Sequence, residues 1–280
     1  MKIALCNEVI RERDFAAQCA FAAALGYDAI ELAPFTLGSE PHLIGARERA
    51  RLRAAAAGAG IDIVSLHWLL VTPKGLSINT ADEAVRARTV EVMRRLIGLC
   101  ADLGGAVLVH GSPMARQVPD GADPEPWRAR AQQTFAAVAR DAEAAGVVYC
   151  IEPLAKRETN FLNTVAEAAA MVEAIASPAV RTMIDTCSAA LAEDLPVPEL
   201  IDRWLPTGLI GHIQVNDRDR LGPGQGKDRF APIFAALRRN RYRGAVAVEP
   251  FVYFPDGPAA AARAIGYIRG ILESLDWRGE

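Results

Sequence analysis

The chain has 280 residues, 51% of them apolar, and its 31 Lys and Arg against 34 Asp and Glu give a formal net charge of −3 at pH 7. This composition supports a large core and offers no basic excess, which argues against nucleic acid as a partner. Neither a signal-peptide pattern nor an uncharged apolar run of roughly 20 residues occurs, so we expect a cytoplasmic protein with no membrane partner.

Short apolar segments alternate with longer helix-like segments from end to end. Thr164 and Glu167 form a capping-box pattern before one of the helices. In chain order the pattern predicts strand Lys2–Cys6, helix Asp14–Leu25, strand Asp28–Leu32, helix Ala46–Ala59, strand Asp62–His67, helix Ala81–Leu103, strand Ala106–His110, helix Glu125–Ala145, strand Tyr149–Ile151, helix Val165–Ala176, strand Val180–Asp185, helix Leu200–Trp204, strand Leu209–Val215, helix Phe230–Asn240, strand Gly244–Glu249 and helix Pro258–Leu275.

Eight strand–helix alternations without a change in composition predict the fold class α/β, as a single (β/α)8 TIM barrel. The barrel would form one domain over residues 1–280. An open α/β sheet is the alternative. Two stretches that follow predicted strands, Leu70–Thr80 and Asp217–Arg229, have the pattern of mobile or lid loops at the barrel mouth.

Four predicted strands in the second half of the chain each run into a side chain that can bind a metal ion. These side chains are Glu152, Asp185, His212 and Glu249. Four such endings, spaced by about one βα unit, predict a ring of ligands at the end of the barrel where active sites lie. Three carboxylates and an imidazole suit a divalent ion such as Mn²⁺, Mg²⁺ or Co²⁺. The alternative is that the carboxylates cap the following helices or pair with arginines.

The other predicted strands also finish on polar residues, namely Asn7 with Glu8, Glu31, His67 and His110. Taken singly, each is better explained by a structural role, for example Glu31 as a solvated turn residue and His67 as a core histidine bonded to the backbone. Taken together, they predict that polar groups line nearly the whole barrel mouth. Asn7, His67 and His110 are therefore candidate substrate-binding residues.

Five segments give the chain a specific resemblance to a known group of enzymes. They are Ile151-Glu152-Pro153-Leu154, Met183-Ile184-Asp185-Thr186-Cys187, Gly211-His212-Ile213-Gln214-Val215-Asn216-Asp217, Gly222-Pro223-Gly224-Gln225-Gly226 and Val248-Glu249-Pro250-Phe251. On these segments, and over essentially its whole length, the chain resembles the xylose-isomerase-like TIM-barrel superfamily of sugar isomerases and epimerases. Within that superfamily it is most similar to ketose 3-epimerases of the tagatose/psicose type and to hydroxypyruvate isomerases.

The resemblance implies that Glu152, Asp185, His212 and Glu249 bind one divalent metal ion, usually Mn²⁺, Mg²⁺ or Co²⁺. It also implies that Glu152 and Glu249 are the catalytic acid/base pair. The activity that it implies is isomerisation or epimerisation of a small ketose or related sugar, by proton abstraction α to a carbonyl through an enediolate. Epimerisation and aldose–ketose isomerisation use the same side chains, so the sequence does not separate them.

The resemblance further implies that Glu158, six residues after Glu152, orients the substrate and that Arg218 contacts its oxygens. Many relatives have a histidine three residues after the metal-binding aspartate, where this chain has Ser188. Serine is shorter and does not titrate near neutral pH, so the contact with the substrate differs at this position. Relatives are often dimers or tetramers, so a homo-oligomer is compatible with the resemblance, although the sequence does not determine the oligomeric state.

Two other functions are compatible with the same residues. A keto-inositol dehydratase or lyase would begin with the same proton abstraction and then expel a β-hydroxyl group. A non-catalytic barrel that binds a sugar, or serves as an accessory subunit, would have no need of an opposed pair of carboxylates. An AP endonuclease is disfavoured, because those relatives hold three metal ions with extra histidines and Ser188 removes one such ligand.

Overall fold

The computed structural model describes residues 1–277, and its eight parallel strands close into a barrel in sequence order. Each strand pairs with the next one along the chain, and the last pairs with the first. The strands are β1 Lys2–Cys6, β2 Ala29–Leu32, β3 Asp62–Leu66, β4 Val107–His110, β5 Val148–Ile151, β6 Val180–Asp185, β7 Ile210–Val215 and β8 Ala245–Val248. The predicted (β/α)8 barrel is confirmed. Residues 278–280 of the predicted domain lie outside the described residues.

In the described part of the chain, nine α-helices follow the strands. They are α1 Phe15–Leu25, α2 Ala46–Gly58, α3 Glu83–Leu103, α4 Glu125–Ala145, α5 Val165–Ile175, α6 Thr186–Ala192, α7 Val197–Trp204, α8 Phe230–Arg239 and α9 Gly257–Ser274. Seven of them overlap a predicted helix closely. Helix α7 is longer than predicted, and α6 was not predicted, because it begins directly after β6 without a turn residue.

The predicted capping box at the start of α5 is present. The hydroxyl of Thr164 accepts a hydrogen bond from the Glu167 N–H at 3.2 Å, and the Glu167 carboxylate accepts one from the Thr164 N–H at 3.2 Å. The same carboxylate accepts the N–H of Asn163 at 2.6 Å. Side chains therefore accept hydrogen bonds from three backbone N–H groups at the start of α5 that have no carbonyl acceptor within the helix.

Alternation along the strands separates the barrel interior from the layer under the helices. Val109, Cys150 and Met183 form a small cluster of their own, separate from the main core that includes helix side chains. By contrast Tyr149, next to Cys150, packs against Phe135 of α4. Because side chains two residues apart on a strand share a face, Glu152 and Asp185 extend into the mouth of the barrel above Cys150 and Met183.

The two predicted loops are packed onto the barrel in this structure. Ile78, within Leu70–Thr80, is buried, and its N–H bonds to the Ala115 carbonyl at 2.9 Å. In Asp217–Arg229, the buried Asp217 carboxylate accepts the Asp228 N–H at 2.7 Å. Among the described residues, no helix is both long and apolar enough to span a membrane.

Replacing Thr164 by Ala should lower the free energy of unfolding by about 1 kcal/mol, because the Glu167 N–H loses its acceptor. The urea midpoint of unfolding, followed by circular dichroism, measures this loss. Thr164→Ser keeps the hydroxyl and should stay close to wild type. An equal loss in both variants would show that the cap hydroxyl is not what stabilises the start of α5.

Candidate functional site

Three carboxylates meet at the C-terminal mouth of the barrel. Glu152 follows β5, Asp185 ends β6 and Glu249 follows β8, and all three are buried. Each contributes an oxygen that lies within 4.8 Å of the oxygens of the other two. Three of the four side chains predicted to bind a metal ion are thus brought together at the predicted end of the barrel.

Asp185 has one carboxylate oxygen that is bonded and one that is not. Its Oδ1 accepts the Ser188 N–H at 2.7 Å and so caps α6. Its Oδ2 is buried without a hydrogen-bond partner. Burial raises the pKa of Asp185 to about 7, although the hydrogen bonds from Ser188 oppose this shift. The sequence leaves helix capping and metal binding as alternative roles for this carboxylate. In the structure Oδ1 caps α6 while Oδ2 is available to a metal ion, so the two roles are compatible.

Glu249 is held by two donors from the segment after β3. His67 Nδ1 and Trp68 Nε1 each lie 2.9 Å from Oε1, which leaves Oε2 without either donor. The other ring nitrogen of His67 lies 3.0 Å from Glu8 Oε2. Burial raises the pKa of Glu249 to about 8 despite the contact with His67. Burial disfavours the charged form of His67, but the carboxylates of Glu8, Glu249 and Glu31 outweigh it and raise its pKa.

Glu152 lies against a glycine and in front of a buried arginine. A Cβ atom on Gly111 would come within 1.9 Å of Glu152 Oε2, so a larger residue here would require this carboxylate to move. The fully buried Arg116 donates to the backbone carbonyl of Glu152 at 2.6 Å and to that of Gly111 at 3.3 Å. Burial and the charges of Glu249 and Asp185 raise the pKa of Glu152 well above its usual value.

These features fit a divalent cation. Oxygen donors of this kind are the ligands of hard divalent ions. The buried and unbonded Asp185 Oδ2 is available to such an ion, and burial raises the pKa values of Glu152, Asp185 and Glu249, a cost to their charged forms that a bound cation would offset. The structure therefore contains a potential metal-binding site.

His212 lies deeper in the barrel than the three carboxylates. The predicted strand Leu209–Val215 already extends beyond His212, and in the structure β7 runs to Val215 with His212 opposite Met183, two residues before Asp185. The group whose ligand atoms lie within 4.8 Å of one another does not include it. Its Nε2 is 2.7 Å from Glu31 Oε2, although the N–H points obliquely to that oxygen.

The pocket above the carboxylates is narrow. Glu152, Glu158 and Glu249 line it together with Trp68 and Phe251, whose rings meet edge to face with centroids 6.1 Å apart. Its volume of about 10 Å³ holds one water molecule or ion. Trp68 has a left-handed backbone, with φ of 52°, a strained conformation that is found at functional sites.

Two predicted substrate-binding residues lie outside this pocket. The ring of His110 packs edge to face on Phe135, and its Nδ1 lies 3.0 Å from the Tyr149 hydroxyl. Strand alternation directs His110 outwards, because Val109 before it faces the barrel interior. The amide of Asn7 accepts from the Ala33 N–H at 2.7 Å and donates to the side chains of Gln18 in α1 and Thr36 after β2, so all its hydrogen-bonding groups are used in packing.

The remaining predicted residues are divided between two places. Glu158 lines the pocket with Glu152, and the buried Ser188 lies beside Asp185 at the start of α6. The guanidinium of Arg218 is instead paired with Asp228 at 2.7 Å and lines a separate cavity of about 350 Å³. The structure therefore does not bring Arg218 together with Glu158.

The residues predicted from the sequence do not include several that contact the carboxylates and histidines of the site. The sequence marks Glu8 and Glu31 as polar strand ends without predicting a role for them in the site. It includes Gln214 only within a family segment and gives no prediction for Trp68 or Arg116. A tryptophan directly after a strand-end histidine was the available signal for Trp68. Nothing in the sequence distinguishes the fully buried Arg116 from the exposed arginines of this chain.

Comparison with known proteins agrees with this architecture. The family model for the xylose isomerase-like TIM barrel matches residues 19–271. The chain belongs to this family. The resemblance seen in the sequence is thereby confirmed.

Three relatives illustrate the similarity. The D-psicose 3-epimerase of Agrobacterium fabrum (strain C58) is 31% identical over 238 residues, which cover 82% of this chain and 77% of that protein. A solved structure of L-ribulose 3-epimerase has a TM-score of 0.80 at 25% identity and covers 98% of this chain and 95% of its own. The structure of a D-psicose 3-epimerase in the presence of D-fructose has a TM-score of 0.83 and covers 97% and 99%, and at 24% identity it supports the fold alone.

Replacing Gly111 by Ala should displace the Glu152 carboxylate, because the new methyl group would occupy the space of Oε2. We expect the affinity for Mn²⁺ to fall at least about tenfold, in the range seen when the support of a metal ligand is removed. Calorimetric titration measures it. Gly270→Ala, in α9 with nothing within 4 Å of the new Cβ, is the control. Equal Mn²⁺ affinity in Gly111→Ala and wild type would contradict the assigned position of Glu152.

Replacing Asp185 by Asn should stabilise the metal-free protein at pH 8. The pKa of Asp185 rises from 3.8 to about 7 on folding, so the metal-free protein loses stability as pH rises from about 4 to about 7. Asn removes this loss, whose upper bound is roughly 4 kcal/mol at about 1.4 kcal/mol per pKa unit.

Thermal melting in EDTA at pH 5 and pH 8 measures the effect. The melting temperature of the variant should exceed that of wild type, and more so at pH 8. Asp120→Asn, at an exposed position, is the control and should behave as wild type at both pH values. A metal-free Asp185→Asn protein that melts below wild type at pH 8 would contradict the electrostatic cost assigned to this carboxylate.

Proposed function

We propose that this protein is a divalent-metal-dependent epimerase or isomerase of a small ketose or related sugar. The observation that supports it most strongly is the meeting of Glu152, Asp185 and Glu249 at the barrel mouth within 4.8 Å of one another. The 31% identity to a D-psicose 3-epimerase favours epimerisation at the carbon next to a carbonyl. We also propose that the protein is cytoplasmic. The proposed ion is Mn²⁺, Mg²⁺ or Co²⁺, bound by these three carboxylates and His212.

Glu152 and Glu249 are proposed as the acid/base pair. They project from β5 and β8, which lie three strands apart in a closed barrel of eight, so they approach the pocket from different sides. One carboxylate removes the proton α to the carbonyl, and the other returns a proton to the opposite face. When bound, a divalent cation would polarise the carbonyl and neighbouring hydroxyl and stabilise the charge of the enediolate.

Other residues of the chain would restrain the reacting groups. His67 and Trp68 both bond Glu249 Oε1, so they fix this carboxylate and leave Oε2 for proton transfer. Glu158 lines the pocket beside Glu152 and is proposed to bind a substrate hydroxyl. Ser188 lies beside Asp185 and is proposed to contact the substrate with a shorter side chain than the histidine of many relatives. Arg218 would reach the substrate only after leaving Asp228.

Solvent exchange tests this function. Metal-replete protein in D₂O should incorporate deuterium into one member of a panel of free ketopentoses and ketohexoses, at the carbon α to the carbonyl, and yield an epimer. Proton NMR and mass spectrometry follow both changes. A product lighter by one water would identify a dehydratase instead. The absence of exchange in every ketose would contradict proton-transfer catalysis on this class of sugar.

In metal-bound protein, Glu249→Gln should lower kcat by about 10²- to 10⁴-fold, the usual contribution of a general acid or base. Glu173→Gln, on the exposed face of α5, is the matched control and should turn over as wild type does. Metal content is measured in the same samples, so that a lost ion is not mistaken for a lost base. Wild-type turnover in metal-bound Glu249→Gln would rule out the acid/base role.

A further inference from the structure

Glu31 is a fully buried carboxylate inside the barrel that is surrounded by donors. Its Oε1 accepts hydrogen bonds from Gln214 Nε2 at 2.5 Å and from Cys6 Sγ at 3.3 Å. Its Oε2 accepts one from the Ser65 hydroxyl and lies 2.7 Å from His212 Nε2. An ionised carboxylate offers about four acceptor positions and no donor. Three donors therefore bond Glu31, and His212 Nε2 is a fourth polar atom close to its acceptor positions.

Two irregularities of the barrel bring donors to this carboxylate. Between β2 and β3 the register shifts so that Glu31 pairs with Ser65, and Val64 is the additional residue. Between β6 and β7 a second shift makes Gly211 the additional residue immediately before His212. Such bulges redirect side chains next to active sites. Both shifts occur at strands whose side chains contact Glu31.

The contact with Glu31 determines which nitrogen of His212 is available. Because Glu31 can only accept, a favourable contact requires a proton on His212 Nε2. A neutral imidazole with its proton on Nε2 has a bare Nδ1, and that atom alone is free to bind a cation. Histidines that bind metal ions commonly donate their second N–H to a carboxylate in this way.

We propose that Glu31 is a positioning residue that fixes the tautomer and ring orientation of His212, so that Nδ1 is offered to the divalent cation. This inference rests on the proposed function, because it concerns the same metal centre. Glu31 belongs neither to the group Glu152, Asp185 and Glu249 nor to the second group of close ligand atoms, Cys6, Glu8, His67 and Glu249. The amide Nε2 of Gln214 can only donate, and together with the donors Cys6 Sγ and the Ser65 hydroxyl it requires Glu31 to act as an acceptor.

Glu31→Gln is the informative substitution. It preserves size and shape but replaces one acceptor oxygen with an amide that donates. An amide N–H facing His212 favours the tautomer with Nε2 bare and the proton on Nδ1, where it blocks a cation. Ser65→Ala is the matched control, because it removes another donor from Glu31 without changing the atom that faces His212.

Nitrogen-15 NMR of the metal-free proteins reports which ring nitrogen of His212 carries a proton. The chain has four histidines, and a His212→Gln sample assigns the signal. We expect a protonated Nε2 in wild type and in Ser65→Ala, and a bare Nε2 in Glu31→Gln. In parallel, Mn²⁺ titration followed by electron paramagnetic resonance should show a 10- to 100-fold weaker Kd for Glu31→Gln and a change within about threefold for Ser65→Ala.

A bare Nε2 in the wild-type protein would overturn this role of Glu31, even if Glu31→Gln does not fold. Wild-type Mn²⁺ affinity in a Glu31→Gln protein with a cooperative thermal melt would also overturn it. An equal loss of affinity in Ser65→Ala would do the same, because it would indicate general disruption around Glu31. If the wild type binds no Mn²⁺ at all, the proposed function fails first, which is seen before any substitution is made.

Discussion

Several carboxylates are buried side by side at one end of this barrel, and the rest of the site depends on how their charge is balanced. The buried set comprises Glu8, Glu31, Glu152, Asp185 and Glu249. Negative charges removed from water repel one another and favour protonation unless a cation or hydrogen-bond donors compensate them. The imidazole of His67 lies between Glu8 and Glu249, and that of His212 lies against Glu31. The oxygens of Glu152, Asp185 and Glu249 lie within 4.8 Å of one another, and a divalent cation bound there would offset their repulsion.

The barrel can tolerate the free-energy cost of these buried carboxylates because its strands are rigid and buried on both faces. Parallel strands direct their C-terminal ends to one mouth, so carboxylates that are far apart in sequence meet there. Local details then refine their positions. Gly111 leaves space for the Glu152 carboxylate, Arg116 bonds the backbone that carries it, and the bulge at Gly211 sets the direction of His212.

Much of the fold could be predicted because its signals are local. The bounds of β6, Val180–Asp185, are the predicted ones, since an apolar run that ends at a carboxylate is visible in the sequence. The strand register, and therefore the face of the strand on which each side chain lies, could not be predicted. A shift of one residue turns a side chain to the other face of a strand, and so His110 packs under α4 while Val109 faces the interior. The contacts among Glu31, Ser65 and His212 depend on two register shifts between paired strands. Such shifts cannot be predicted from the sequence of one strand alone.

The most direct measurement of the central claim is anomalous X-ray diffraction from crystals of the wild-type protein grown with Mn²⁺. The account predicts one strong anomalous peak at the barrel mouth, within bonding distance of oxygens from Glu152, Asp185 and Glu249 and of His212 Nδ1. A peak elsewhere, or an empty mouth at saturating Mn²⁺, would contradict it.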